Sequence, residues 1–390
     1  MCTVLILPSQ TPSPNITTSL RHIIGCMTGT SLDGLDVVLA RVEGRGLGMQ
    51  AHLLDHLAMP LPADLKAVLA SLAAGTPHTP IATLRAARYL GVLHAQACGT
   101  LMGRHPDTPL DAVIAHGQTI CHAPGDGLSW QLFDPWPLVR SLNVTVGYDL
   151  RQADLIAGGQ GAPVTPLADW VCLRHSADAV INLGGIVNIT RLATTPAAVR
   201  GADVGPANLL LDGLCTAWFN EPFDDHGQRA LAGTATEPCV ATLRAAVDER
   251  LVDSTLGREQ FSTSWVQQLA AQLAADHLPE NALAAASVVV AQIAAGHPML
   301  QGATRWLLAG GGVRNAALVA AFEQAAAHAK ANVRTSDAVG LAPEAREALA
   351  FAVLGALSQD GVSATLSQVT GADSPGVAGI WAFPPVVKPV

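Results

Sequence analysis

The sequence predicts an α/β protein of two related lobes, each a mixed sheet flanked by helices, and three observations carry that prediction. Two apolar runs, residues 23–27 and 35–42, are joined by the polar turn Thr28-Gly29-Thr30-Ser31-Leu32-Asp33-Gly34, which is the pattern of a β-hairpin. The same unit returns later: a strand at 179–183, a Gly184-Gly185 turn and a second strand at 186–192, the trace expected of a duplicated fold. Third, residues 305–309 form an apolar run that passes through Gly310-Gly311-Gly312 toward a helix at 316–330, with Asn315 as its N-cap.

Taken in order, the opening hairpin is followed by a glycine turn at 44–48 and a run at 51–59 that extends the same antiparallel sheet. Pro62 begins a helix through residue 72 with Asp64 in its first turn, and Thr79-Pro80 opens a longer one from 81 to about 102. Residues 111–115 read as a short buried strand ending at His116-Gly117-Gln118-Thr119, where open α/β sheets place their ligands. Strands and prolines alternate from 128 to 147, and the glycine-dense stretch Gly158-Gly159-Gln160-Gly161-Ala162-Pro163 reads as a crossing between halves. Helices are expected at 166–173, at 208–219, through most of 228–295 with an interruption at 254–259, and at 344–357; the Gly/Pro-rich tail from 371 is expected to pack as coil.

The totals set limits. A chain of 390 residues can form two domains, each with its own core. Of its residues 49% are hydrophobic but only 4% aromatic, with alanine supplying much of the total, which predicts close-packed helices. No apolar run is long enough to span a bilayer, so a soluble protein with no membrane partner is expected. The opening run at 1–7 lacks a basic leader and a cleavage site and is not a convincing signal peptide. Seven cysteines without CxxC spacing suggest neither zinc nor a disulfide framework, which favours the cytoplasm. A net charge of −9 argues against nucleic acid.

The chemistry concentrates in the turns. In the first, two glycines let backbone approach a ligand, hydroxyls and amides can donate to phosphate oxygens, and Asp33 can hold a hydrated cation. Taken alone, such a turn also reads as a solvated loop; its recurrence in the second half favours the ligand site. No GxxxxGK[ST] loop and no Rossmann fingerprint are present. Phosphates held between two lobes, with a purine over Gly310-Gly311-Gly312, would use all three glycine turns. His116 and His122 lack the partners of a metal site, and His116 with Gln118 is better suited to hydrogen-bonding a polar substrate. Asp149, Arg151 and Asp154 form a charged cluster with two readings, a salt bridge from Arg151 to both acids or catalysis by one of them. Asp203 could simply cap a helix, and Glu347 could be a solvated helix residue.

Together, Met27 to Asp36, His116-Gly117-Gln118-Thr119-Ile120, Asp154 with Gly158 to Pro163, Asn182-Leu183-Gly184-Gly185-Ile186, Gly310 to Asn315, Asp337 to Gly340 and Glu347 to Ala352 resemble the anhydro-N-acetylmuramic acid kinase family. The resemblance runs in order from about residue 23 to the C-terminus. It implies the two-lobed actin-like, hexokinase-like ATPase fold, with one lobe at 20–150, rejoined by part of the C-terminal segment, and the other at 151–370. It also implies ATP and Mg²⁺ as cofactors, a homodimer, a cytoplasmic setting and a place in peptidoglycan recycling. Carried over, Gly29, Thr30, Ser31, Leu32, Asp33, Gly34, Leu35 and Asp36 would form the ATP phosphate loop. Gly184, Gly185, Asp203, Gly310, Gly311, Gly312 and Asn315 would complete the nucleotide site, with Asp33 reaching the metal through water. Asp154 would be the general base, and His116, Gln118 and Glu347 would face the sugar. Where the family usually has Asp-Thr-Gly-Pro-Gly-Asn, this chain has Asp203-Val204-Gly205-Pro206-Ala207-Asn208, losing a hydroxyl and a glycine.

The reaction implied joins ATP, water and 1,6-anhydro-N-acetylmuramate to give N-acetylmuramate 6-phosphate and ADP. Asp154 would deprotonate the water that attacks the anomeric carbon, while the departing O6 captures the γ-phosphoryl group. Two alternatives are kept: a kinase of another anhydrosugar such as levoglucosan, and an ATP-driven conformational switch without sugar chemistry.

Overall fold

The computed structural model describes residues 19–29, 32, 34–251 and 260–385. Two sheets with the same five-strand order organise the chain. In the first, β1 (Leu20–Thr28), β2 (Gly34–Glu43) and β3 (Gln50–Pro60) form an antiparallel meander. β4 (Ala112–Ala115) then adds parallel to β1. Next comes a small separate hairpin, β5 (Gln118–Ala123) with β6 (Leu128–Leu132), and β7 (Thr145–Tyr148) adds parallel to β4. In the second sheet β8 (Ala179–Leu183), β9 (Ile186–Arg191) and β10 (Arg200–Pro206) repeat the meander. β11 (Arg305–Ala309) and β12 (Asn332–Thr335) repeat the parallel additions. The duplication expected from two glycine-turned hairpins is therefore present strand for strand.

β1 and β2 read as near-continuous apolar runs because both faces are covered: Ile23, Ile24 and Cys26 are all fully buried on β1. Gly25 sits between them for a steric reason. A Cβ there would lie 1.9 Å from the backbone oxygen of Ala348, so the helix Ala345–Gln359 can rest on β1 only where a side chain is missing. That helix is buried on nearly every side and shares one core with helix Pro166–Leu173. The core draws Ile23, Val38 and Ile114 from the first sheet and Val180, Leu307 and Ala309 from the second, so the two helices form the layer between the lobes. A buried ion pair, Arg346 to Asp169, joins one helix to the other; Arg346 Nε donates to Asp169 Oδ1 at 3.0 Å.

Two expectations change. The tail is not all coil, because β13 (Ile380–Ala382) pairs antiparallel with β7 and completes the edge of the first sheet. Between β6 and β7 lies a short helix, Trp136–Leu142, whose prolines fall at its start, where a missing N–H costs nothing. The expected interruption at 254–259 lies outside the described residues. No helix among them is long and apolar enough to cross a membrane.

Candidate active site

A crevice of about 590 Å³ opens between the two sheets. One wall comes from the first lobe, where the chain leaves β1 and enters β2 around Gly29, Gly34 and Asp36, and where His116 and Thr119 follow β4. The other comes from the second lobe, with the Gly184-Gly185 turn between β8 and β9, Asp203 on β10, and Gly310 and Gly311 after β11. Glu344 and Glu347, at the start of the interlobe helix, complete it. Turns from both halves thus face one space.

The turns hold their shape by local chemistry. Leu32 N–H donates to Gly29 O at 3.2 Å and its φ is +59°, so this turn adopts a left-handed conformation at a non-glycine residue. The Leu32 and Leu35 side chains point into the core, and only the backbone around them can serve a ligand. At Gly310, φ is +83° and a Cβ would lie 2.7 Å from Asn182 Oδ1, so only glycine fits beside the crevice. Asn315 is the N-cap of the following helix, accepting from Leu318 N–H at 3.0 Å, and does not reach the crevice; Gly312 packs against Leu183. Thr30, Ser31 and Asp33 lie outside the described residues.

Asp154 is the main correction. It is not among the crevice-lining residues and is 1% exposed. Its Oδ1 accepts from the hydroxyls of Thr365 (2.6 Å) and Thr370 (2.7 Å), and its Oδ2 accepts from Gly161 N–H at 2.7 Å. A Cβ at Gly159 would lie 2.2 Å from Oδ2, so the glycine-dense loop is wrapped around this carboxylate. Three donors and complete burial suit an anchor tying the crossing loop to the 365–370 segment, and leave no approach for a water from the crevice.

Gln118 is a second correction. It is 1% exposed and does not line the crevice; its Nε2 donates to Gly29 O at 3.3 Å, which braces the first turn, and its Oε1 has no protein partner among the described residues. The charged cluster also resolves differently from either reading. Arg151 pairs with neither Asp149 nor Asp154; its Nε and Nη2 donate to His116 Nε2 at 3.2 and 3.0 Å, and its Nη1 donates to Gly161 O at 2.7 Å. His116 Nδ1–H donates to the Gly117 carbonyl at 2.8 Å, which fixes the tautomer that leaves Nε2 as acceptor. Burial, then the Arg151 charge, push its pKa down to about 3, so the ring is neutral.

Asp203 is not a helix cap. It sits at a β-bulge on β10, open to the crevice, with Oδ1 accepting from Asn188 Nδ2 at 2.9 Å. Partial desolvation raises its pKa above the ordinary carboxylate value and the Asn188 hydrogen bond lowers it; the first effect wins. Glu347, in the first turn of its helix, faces the crevice rather than bulk water, and desolvation likewise raises its pKa against the pull of Arg346. Asp36 pairs with His56 Nε2 at 2.9 Å, and Glu344 Oε1 accepts from Arg314 Nε at 2.6 Å. Asn188 and Glu344 carried no separable signal in the sequence, one being a strand residue and the other a helix-start acid.

The family match and the curated relatives agree with one another. Residues 21–384 match the family described as anhydro-N-acetylmuramic acid kinase. A protein of that name from Bordetella avium (strain 197N) is 34% identical over 363 residues, covering 92% of this chain and 95% of its own. Another, from Salinibacter ruber (strain DSM 13855 / M31), is 32% identical over 388 residues, covering 94% and 97%. Among solved structures, the Acidaminococcus fermentans (R)-2-hydroxyglutaryl-CoA dehydratase component A covers 85% of this chain and 96% of its own at 11% identity, with a TM-score of 0.47.

Proposed function

This chain belongs to the anhydro-N-acetylmuramic acid kinase family, and we propose that the crevice between its lobes is where ATP and water convert 1,6-anhydro-N-acetylmuramic acid to N-acetylmuramic acid 6-phosphate and ADP. The observation that carries this reading is the meeting of glycine turns from both sheets with a partly desolvated carboxylate that has no cationic partner, Asp203, in one space.

Asp203 takes the role first expected of Asp154. Among the crevice acids, Asp36 is engaged by His56 and Glu344 by Arg314; of the two that keep a raised proton affinity, Glu347 feels the opposing charge of Arg346, whereas Asp203 meets only the amide of Asn188. Asp203 accepts a proton from water as the water oxygen bonds to C1; the C1–O6 bond breaks, and O6 bonds to the γ-phosphorus of ATP as ADP leaves. The phosphoryl group does for the leaving oxygen what a second carboxylic acid does in a glycosidase. Backbone amides of the Gly29–Asp36 and Gly184-Gly185 turns donate to phosphate oxygens, the adenosine lies over Gly310 and Gly311, and Glu347 and His116 orient the sugar.

Five carboxylates and a single arginine line the crevice among the described residues, so a polyanionic nucleotide needs a divalent counter-ion there. The donor set fits Mg²⁺: Asp36, oriented by His56, would hold it through water, as would Asp33. The ion would neutralise phosphate charge. A homodimer is supported by the outer face of helix Pro80–Gly103, which leaves Ile81 56% and Leu84 65% exposed. The cytoplasm, as the compartment of cell-wall sugar recycling, follows from the same reading.

The test is ADP release by wild type and Asp203→Asn with 1,6-anhydro-N-acetylmuramic acid and with levoglucosan. Loss of the base should lower kcat by roughly a hundred- to ten-thousand-fold while ATP binding persists. Near-normal turnover by D203N would remove the assignment. Because the base must be deprotonated and its pKa is raised, the acid limb of kcat/KM should lie above the ordinary aspartate range and vanish in the variant's residual rate.

A further inference from the structure

The crevice has an unusual charge inventory. Asp36, Asp203, Asp212, Glu344 and Glu347 line it, and against them Arg151 is the only arginine or lysine among the described lining residues. Arg151 is also rigid. The neutral His116 grips one edge of its guanidinium and the Gly161 carbonyl another, while the His116 ring is itself held by the Gly117 carbonyl and packed 4.8 Å from Phe351. None of these partners carries charge. A guanidinium has five N–H donors, three of which are used by these contacts, leaving two without a protein acceptor among the described residues. Desolvation pulls its pKa down to about 10, opposed by the charge of Glu347, which is too far away to be a salt-bridge partner. A half-buried cation built into a wall by neutral acceptors is costly unless a ligand brings the countercharge.

From this arrangement we propose that Arg151 reads the lactyl carboxylate of the muramyl sugar, and is the residue that selects a carboxylated anhydrosugar over anhydroglucosamine or levoglucosan. The inference rests on the functional reading above and deepens it. The ring and anhydro bridge are common to all three sugars; a 3-O-lactyl ether adds the one group with a negative charge. Arg151 adjoins His116 and feels Glu347, the two crevice groups assigned to the sugar, whereas the nucleotide has turns of backbone amides to receive its phosphates. A planar guanidinium matches a planar carboxylate through paired N–H donors, and an arginine already immobilised loses little freedom on pairing. His116 then acts as a positioning residue: its Nε2 lone pair orients the cation, a task it can perform only while neutral.

The experiment compares kcat/KM for 1,6-anhydro-N-acetylmuramic acid, its lactyl methylamide and 1,6-anhydro-N-acetylglucosamine in wild type, Arg151→Gln and Arg151→Lys. Removing one partner of such a pair should lower kcat/KM for the acid, chiefly through KM, by about a hundredfold more than for the amide and the uncharged sugar, whose loss reports only what Arg151 does for His116 and the Gly161 loop. Arg151→Lys should recover part of the loss. Since Arg151 also holds the Gly161 loop, the amide gives a readout in intact enzyme: wild type should lose about the same factor on the acid-to-amide change, and R151Q should treat acid and amide alike. The inference is overturned if R151Q loses all three substrates equally, if wild type accepts acid and amide equally, or if the loss appears as a raised KM for ATP with every sugar, which would make Arg151 a phosphate contact. Failure of the functional reading looks different: wild type would then release no ADP with any of these sugars.

Discussion

At the scale of single residues, the acids of this chain divide by what surrounds their carboxylates. Asp154 receives three hydrogen bonds in a dry loop, whereas Asp203 receives one beside an open crevice. The two should respond to the same substitution in opposite ways. Asp154→Asn can keep its oxygen on the Gly161 N–H only by turning its N–H₂ toward the Thr365 and Thr370 hydroxyls, which must then reverse from donor to acceptor; it should destabilise the protein by about 1–3 kcal/mol in urea unfolding, with chemistry per folded molecule largely kept. D203N should leave the unfolding midpoint nearly unchanged and lower turnover by roughly a hundred- to ten-thousand-fold. If D154N were as stable as wild type and inactive, the anchor assignment would be wrong. Sequence could not separate these acids. A loop of glycines closing on a carboxylate is written with the same letters as a loop leaving it free, and the difference comes from Thr365 and Thr370, more than two hundred positions away. Asp203 is legible as part of a motif, but its opening onto the crevice depends on a bulge that no local propensity announces. Arg151 stands out in the sequence for its charge, which points to carboxylate partners, whereas its acceptors are an imidazole and a carbonyl.

At the scale of elements, legibility follows the range of the interactions. The hairpins, the strand through Arg305–Ala309 and helix Asn208–Phe219 have boundaries set by apolar runs, glycine turns and caps within a few residues, and they lie where the sequence puts them. β13 was hidden because a three-residue strand among glycines and prolines owes its structure to the waiting edge of β7. The interlobe helices add a feature that pattern reading does not reach, the Arg346–Asp169 pair, with both side chains almost fully buried. Asp169 also accepts from Thr190 on β9, so the pair ties both helices to the second sheet. Arg346→Met alone should cost roughly 3–5 kcal/mol by urea denaturation, because it strands a carboxylate in the core. The double variant Arg346→Met, Asp169→Leu should recover most of that loss. Equal instability of single and double variants would mean that packing, and not an orphaned charge, sets the cost.

At the scale of the whole molecule, acid should act through two imidazoles that fold uncharged. Burial pushes the pKa of His94 down to about 4 and that of His116 to about 3, both below the value of about 6.5 that an unfolded histidine has. The unfolded chain therefore binds more protons below that value, and stability rises with pH. The contribution is complete above pH 6.5 and is lost as pH falls toward the folded values. At pH 5 each histidine should have removed about 2 kcal/mol, so urea midpoints should drop between pH 7.5 and 5. His94→Leu, which leaves the crevice untouched, should flatten that slope; an unchanged slope would place the acid sensitivity elsewhere. The arrangement of the sheets has a further consequence for how the chain is made. The first hairpin emerges early from a ribosome, yet the helix that covers Ile23 and Val38 and the strand that closes the same sheet emerge only with residues 345–382. For most of translation the leading lobe presents an uncovered apolar face and an unpaired margin, while the lobe encoded in the middle can mature around its own core. The half born first is finished last, so a stalled or shortened transcript yields not a working N-terminal lobe but a sticky one, a natural client for whatever guards nascent chains.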